Sequence, residues 1–125
     1  MALIRCNKSN ASSNLLVAVE PGYIYKMGIA GDAQYQKIAL ANDAATLTSG
    51  NTGTAYLINI KGLGYTTLTP TGFGTCAVRG FKSDGTDISL ASGTATSPIN
   101  VSDIELIIMS QYNAGSGASI TFTFS

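Results

Sequence analysis

No stretch of this chain repeats its apolar residues at the three-to-four spacing of a helix face. Instead, short runs that alternate apolar and polar residues are cut at close intervals by Gly, Asn, Asp and Pro. That rhythm belongs to strands and tight turns. The composition explains it: Gly, Ser, Thr and Asn together supply 49 of the 125 residues, and only 11% are charged. Threonine favours strands, and Gly, Asn and Ser favour turns, each for its own backbone reason. The sequence therefore predicts an all-β fold.

The runs fall at 14–20, 23–29, 35–41, 55–61, 65–69, 75–82, 87–91, 104–112 and 118–124. In the run 55–61, Tyr56, Ile58 and Ile60 share one face and Leu57, Asn59 and Lys61 the other, the pattern of a half-buried strand. Pro70 is expected to end the run 65–69 as an edge strand, and Gly80 to mark a bulge. Asp84-Gly85 reads as a two-residue type I′ hairpin turn. Residues 113–117 (NAGSG) read as a second hairpin joining the last two runs, and Gly31-Asp32 as a turn. The stretch 42–54 reads as a polar loop, with a helical turn over 39–47 as its alternative. About eight short strands without crossover helices imply an antiparallel β-sandwich, jelly-roll-like, as a single domain over 1–125. Residues 1–13 are available as an extended N-terminal arm. No internal repeat is visible, which disfavours a propeller or solenoid.

The bulk numbers also bear on partners. Seven basic and seven acidic side chains give no net charge, too little basic surface for the phosphate contacts that hold nucleic acid or an anionic membrane. The longest apolar runs, 15–19 and 106–109, fall far short of a bilayer-spanning helix. The start MALIRCNKSN lacks the apolar core of a secretory signal, so the expected place of synthesis and residence is the cytoplasm, unless the chain leaves inside an assembly.

Catalytic and metal chemistry find little material. The chain has no His, which removes the commonest general base and zinc ligand. Cys6 and Cys76 read as buried small hydrophobes, with a disulfide between them as the alternative. The carboxylates Glu20, Asp32, Asp43, Asp84, Asp87, Asp103 and Glu105 sit almost all at turns, where Asp caps its own backbone. A glycosidase would need two of them across a cleft. Asp84 to Asp87 lacks the ligand count of a calcium loop. Gly28 to Gly31 and Gly62 to Gly64 read as turns, since no Lys-Ser/Thr follows. Asn10-Ala-Ser12 and Asn100-Val-Ser102 match the glycosylation pattern, which a chain rich in these residues produces by chance. The expectation is a non-enzymatic protein with no catalytic, cofactor-binding or metal-binding residues and no cofactor. Tyr23, Tyr25, Tyr35, Tyr56, Tyr65 and Tyr112 read as cross-strand packing, with a sugar-stacking platform as the alternative.

With its MALI start, its short strands rich in Gly, Ser, Thr and Asn, its low charge and its terminal run ITFTFS, the chain resembles the small β-sandwich virion proteins of tailed bacteriophages, of the head-decoration and head-fibre type. The resemblance lies in composition and pattern over the full length and carries no functional residues with it. It implies a structural virion protein made in the host cytoplasm, acting through protein–protein contacts with other virion proteins as a homo-oligomer, a trimer by preference. The alternative function is a carbohydrate-binding module or adhesin domain, and a hydrolase ranks last. Independently, the runs 15–19 and 106–109 are apolar on both strand faces. The second face needs a cover, either a further strand layer or another subunit.

The terminal run yields a direct test, because Ile120, Phe122 and Phe124 alternate with Thr121, Thr123 and Ser125. Phe122→Ala is expected to cost about 3–5 kcal/mol and Thr123→Ala under about 1 kcal/mol in urea melts. Removing residues 118–125 is expected to abolish cooperative unfolding altogether.

Overall fold

The computed structural model describes residues 2–7, 14–28, 35–48, 54–72, 74–94, 97–113 and 118–125. Among them run twelve strands: β1 Ala2–Asn7, β2 Asn14–Val19, β3 Tyr23–Gly28, β4 Tyr35–Ala39, β5 Ala44–Thr48, β6 Thr54–Asn59, β7 Thr67–Gly72, β8 Thr75–Lys82, β9 Asp87–Thr94, β10 Ile99–Asn100, β11 Ile104–Asn113 and β12 Ser119–Phe124. They form a six-stranded sheet in the order β4-β3-β6-β11-β8-β9, a four-stranded sheet in the order β10-β7-β12-β5, and a separate β1-β2 ribbon. Every ladder between strands is antiparallel.

The last eight strands obey one nesting rule. β8 pairs with β9, β7 with β10, β6 with β11 and β5 with β12, so each strand meets the one equally far from the β8–β9 turn. This long antiparallel ribbon is then wound so that β11 also pairs with β8, and β12 with β7. Winding splits it into two facing sheets, β6-β11-β8-β9 and β10-β7-β12-β5, which is the jelly-roll order. The β3–β4 hairpin extends the larger sheet beyond β6. The expected sandwich is present, with its jelly-roll winding.

The tip of the ribbon differs from the expected turn. The Gly85 N–H donates to the Lys82 carbonyl at 2.9 Å and the Lys82 N–H donates to the Thr86 carbonyl at 2.9 Å. Gly85 takes φ +86° whereas Asp84 stays on the ordinary side. This is a three-residue loop with glycine at the left-handed position, in place of the two-residue turn that would need both residues left-handed. The Asp84 carboxylate accepts from the Thr86 N–H at 2.8 Å.

The core lies between the sheets. Ile120, Phe122 and Phe124 of β12, Leu47 of β5 and Leu68 of β7 meet Ile58 of β6, Val78 of β8 and Ile107 and Met109 of β11. A second cluster, Tyr25, Ala55, Leu57 and Leu106, occupies the outer face of the six-stranded sheet. The run 55–60 is therefore buried on both faces, with Leu57 at 1% and Asn59 at 2% exposure, and the half-buried reading of it is corrected. β2 contacts β6, next to the bridge that sets Pro21 against Asn59. The second face of Leu106, at 2% exposure, is closed within the chain. The first residues of the N-terminal arm are β1, bonded to β2 in a register that sets Ala2 against Val19 and Cys6 against Leu15.

Other expectations are corrected. The loop reading of 42–54 misses β5. A turn at Ala41–Asp43 leads into it, with Asn42 and Asp43 both at φ 55°, a conformation that Asn and Asp tolerate better than most residues. The alternative of a helical turn over 39–47 is met only at Ala41–Asp43, a single 3-10 turn whose Asn42 departs from right-handed helix geometry. Pro70 lies inside β7 opposite Phe122 instead of ending it. β10 pairs only with Leu68 and Thr67, so at Pro70 the far side of β7 is an edge, where a missing N–H costs nothing. The bulge near Gly80 sits instead between Val78 and Arg79, opposite Ala91 and Ser89. Gly80 serves close packing: a Cβ there would lie 2.9 Å from side-chain atoms of Ile104 and Leu90. β11 and β12 do not form the expected hairpin, because β11 belongs to one sheet and β12 to the other; residues 114–117 themselves lie outside the described ones. The Gly31-Asp32 turn and the Asn10 triplet lie outside the described residues.

Gly72 supplies the fold's sharpest test. Its φ is +120°, and a Cβ would lie 2.4 Å from the Ser119 carbonyl oxygen, whereas at Gly85 nothing stands within 4 Å. In urea melts, Gly72→Ala is expected to cost about 3 kcal/mol or more, combining backbone strain with a clash against a paired strand. Gly85→Ala is expected to cost only about 1–2 kcal/mol, the strain alone.

Candidate functional site

Two surfaces stand out once charge is placed on the fold. The four-stranded sheet, made of AATLT, TLTPTG, IN and SITFTF, contains no charged residue. Its inward rows are apolar, so the alternate positions form an outer face of small uncharged side chains. Across that face Thr121 stands between Thr46 and Thr71, and Thr123 between Ala44 and Thr69. The Thr46 and Thr121 hydroxyls meet at 2.9 Å. The result is a plane of methyl and hydroxyl groups.

Charge gathers instead on the six-stranded sheet and the loops, and most of it is used locally. Lys37 pairs with Glu20 at 3.1 Å and lies 4.3 Å above the Tyr23 ring. Its pKa is raised, first by the hydrogen bond to Glu20. Arg79 pairs with Asp87 across β8 and β9, and Lys61 with Glu105 at 3.8 Å. Such exposed pairs contribute little stability each, but they remove free charge. Asp84 is committed to Thr86, whose side chain first and backbone N–H second hold its carboxyl below the usual value.

The second surface is a cleft of about 580 Å³ at one end of the sandwich. The β6–β7 loop brings Lys61 and Tyr65, the β8–β9 turn brings Lys82 and Asp84, and the β10–β11 turn brings Asp103. Ile60 and Ile104, both buried, line its apolar part. Tyr65 is fixed from two sides. Its ring packs on Phe124 at 5.1 Å between centroids, tilted by 31°, and its hydroxyl donates to Asp43 at 2.5 Å. The left-handed turn at Asn42–Asp43 is what presents that carboxylate. The hydrogen bond to Asp43, with burial and the carboxylate's charge behind it, pushes the Tyr65 pKa up to about 12.

The sequence-derived candidates settle as follows. Cys76 is a free thiol at 3% exposure, and burial pushes its pKa up, as befits a small core residue; the Cys6 side chain lies outside the described ones. The tyrosines form no common platform among the described residues: Tyr56 lies in the main core and Tyr25 in the second cluster, where its oxygen accepts from the Glu20 N–H at 3.0 Å. Among the described residues, Tyr65 is the one tyrosine that reaches the cleft. The Asn100 side-chain Oδ1 accepts from the Ser102 N–H at 2.9 Å and from its hydroxyl at 2.7 Å, which gives that triplet a turn role. No group of three or more metal-ligating side chains converges among the described residues, and none of their helices is long and apolar enough to cross a membrane. Sequence reading missed Asn59, whose side-chain oxygen accepts from the Lys61 N–H at 2.9 Å while its backbone carbonyl accepts from Gly22 at 3.1 Å. A polar residue inside an alternating run was its only signal. No protein-family model, curated protein or solved structure matches the chain.

Tyr65 gives this region a pH signature. The folded pKa of about 12 lies above the ordinary tyrosine value of 10.0. Between the two, the unfolded chain has lost a proton that the native state keeps, so stability is full below pH 10 and falls as pH rises toward 12. Ultraviolet titration is expected to show one tyrosine ionising near pH 12. Tyr65→Phe removes that titration and flattens the alkaline loss of stability measured in urea melts.

Proposed function

We propose that the chain is a non-enzymatic structural subunit of a virion, a capsid-decoration or head-fibre protein that works through protein–protein contacts. The observation that carries this reading is the uncharged threonine face of the four-stranded sheet. Interface cores are depleted of charge, because burying a charged side chain costs several kcal/mol unless it is paired. A face of three adjacent strands without one charge avoids that cost. The jelly roll is also an architecture of viral capsid domains, an argument from analogy that supports the reading without assigning a residue. Localisation in the virion and contacts with other virion proteins belong to the same proposal.

Homo-oligomerisation, with a trimer preferred, rests on the resemblance and on the sheet face. The apolar strand β11 no longer argues for it, since Leu106 is covered inside the chain. Magnitudes favour many weak contacts over one strong pair. Three strands at about 4.8 Å spacing and six residues in length present roughly 300 Å², well below the roughly 800 Å² per partner of a standard stable interface. Attachment in many copies multiplies such contacts.

The test is mass spectrometry of purified particles made with the gene present, together with sedimentation of the isolated protein. The chain is expected in the particles in many copies. Thr121→Lys, which places one charge at the centre of the face, is expected to reduce incorporation at least tenfold while shifting the melting temperature by only a few degrees, the effect of about 1 kcal/mol. Particles that lack the chain, or that incorporate Thr121→Lys as well as the parent, would refute the reading.

A further inference from the structure

The threonine face leaves the cleft at the end of the sandwich unused, and its chemistry differs from a protein-contact plane. We propose that this cleft is a binding site for a short stretch of a neutral saccharide. Its volume of about 580 Å³ lies inside the roughly 300–1,000 Å³ range of small-ligand sites. Its rim carries Lys61 and Lys82 against Asp84, Asp103 and Glu105, two positive charges against three negative. An anionic ligand would face the carboxylates, which outnumber the lysines. A metal ion would need converging oxygens, and the carboxylates of the described residues do not converge into such a group.

What suits this rim is a ligand without net charge whose groups both donate and accept hydrogen bonds, and sugar hydroxyls do both. Sugar rings also carry apolar C–H faces, for which Tyr65 and the Ile60–Ile104 floor are the complement. Tyr65 is already held by Phe124 and Asp43, so a sugar stacking on it would not have to immobilise a rotamer. The three contributing segments are the β6–β7 loop and the turns β8–β9 and β10–β11. Two of those turns are stabilised by their own Asp84 and Asn100 caps. The site is thus formed by the folded chain alone and needs no second copy.

The experiment is a titration of the full chain with neutral hexasaccharides built on glucose, galactose and N-acetylglucosamine, read by amide chemical shifts and tyrosine fluorescence. Saturable binding to at least one of them is expected, with shifts concentrated at 61–65, 82–85 and 102–105. Lys82→Ala, at the end of β8, and Asp103→Ala, in the β10–β11 turn, are expected to weaken binding about tenfold each without loss of the folded spectrum. Tyr65→Phe keeps the ring and keeps binding, whereas Tyr65→Ala loses it. The proposal is overturned if no member of the panel binds saturably at about 10 mM, ten times a millimolar dissociation constant. It is equally overturned if the shifts map elsewhere, or if Lys82→Ala and Asp103→Ala bind like the parent. Particle incorporation through the threonine face does not enter these readouts, so the two proposals fail separately.

Discussion

Strand β12 is the element on which the fold closes. It bonds to β5 on one side and β7 on the other, and without it the four-stranded sheet would fall into a lone β5 and a β7–β10 pair. Its inward side chains, Ile120, Phe122 and Phe124, are among the largest fully or almost fully buried groups in the chain. β11 plays the corresponding part opposite, between β6 and β8. The two final strands therefore sit in the middle of the two sheets. A chain wound in this way gains its full core only when its C-terminal segment is in place.

The two sheets differ in what they do with their second face. On the six-stranded sheet the outer face is apolar at Tyr25, Leu57 and Leu106, with Tyr23, Phe81 and Ile108 packed against them. On the four-stranded sheet the outer face is threonine, compatible with water and with a flat protein partner alike. Charge is excluded from that sheet and gathered on the other and on the loops, where ion pairs and side-chain caps absorb most of it. Low total charge is thus concentrated asymmetrically, which composition alone does not reveal. Both proposed surfaces follow from it: one is where charge is missing, the other is where charges of both signs meet around an apolar floor.

Much of the fold was legible because alternation reports faces directly. Tyr56, Ile58 and Ile60, Cys76 and Val78, and Ile120, Phe122 and Phe124 all point where the pattern places them. Alternation says nothing about what lies opposite, and this is why β6 read as half-buried and why 113–117 read as a hairpin. A loop that changes sheets and a loop that closes a hairpin draw on the same Asn, Gly and Ser. β5 escaped because Ala45 and Leu47 are its only inward residues, and β10 because two residues carry no period. The cleft was illegible for a further reason. Tyr65 and Asp43 lie 22 positions apart and meet only through the left-handed turn at Asn42–Asp43, which the sequence marks as turn residues without giving their hand.

The nesting of strands also sets the order of their entropic costs. Closing β8 on β9 spans three residues, whereas joining β5 to β12 brings Thr46 and Thr121 together across 75 positions. Loop-closure entropy grows only logarithmically, by about 0.6 kcal/mol per doubling, so the outermost pairing costs roughly 3 kcal/mol more than the innermost. Burying one large apolar side chain contributes about 1.5–3 kcal/mol. The closure cost of the longest-range pairing is therefore of the size that one of Ile120, Phe122 and Phe124 offsets, and β12 brings all three. A last strand with a single inward aromatic would leave the jelly roll near the limit of closing. The three-residue alternation ending in Phe124 is what makes so long-range a pairing favourable in a chain this small.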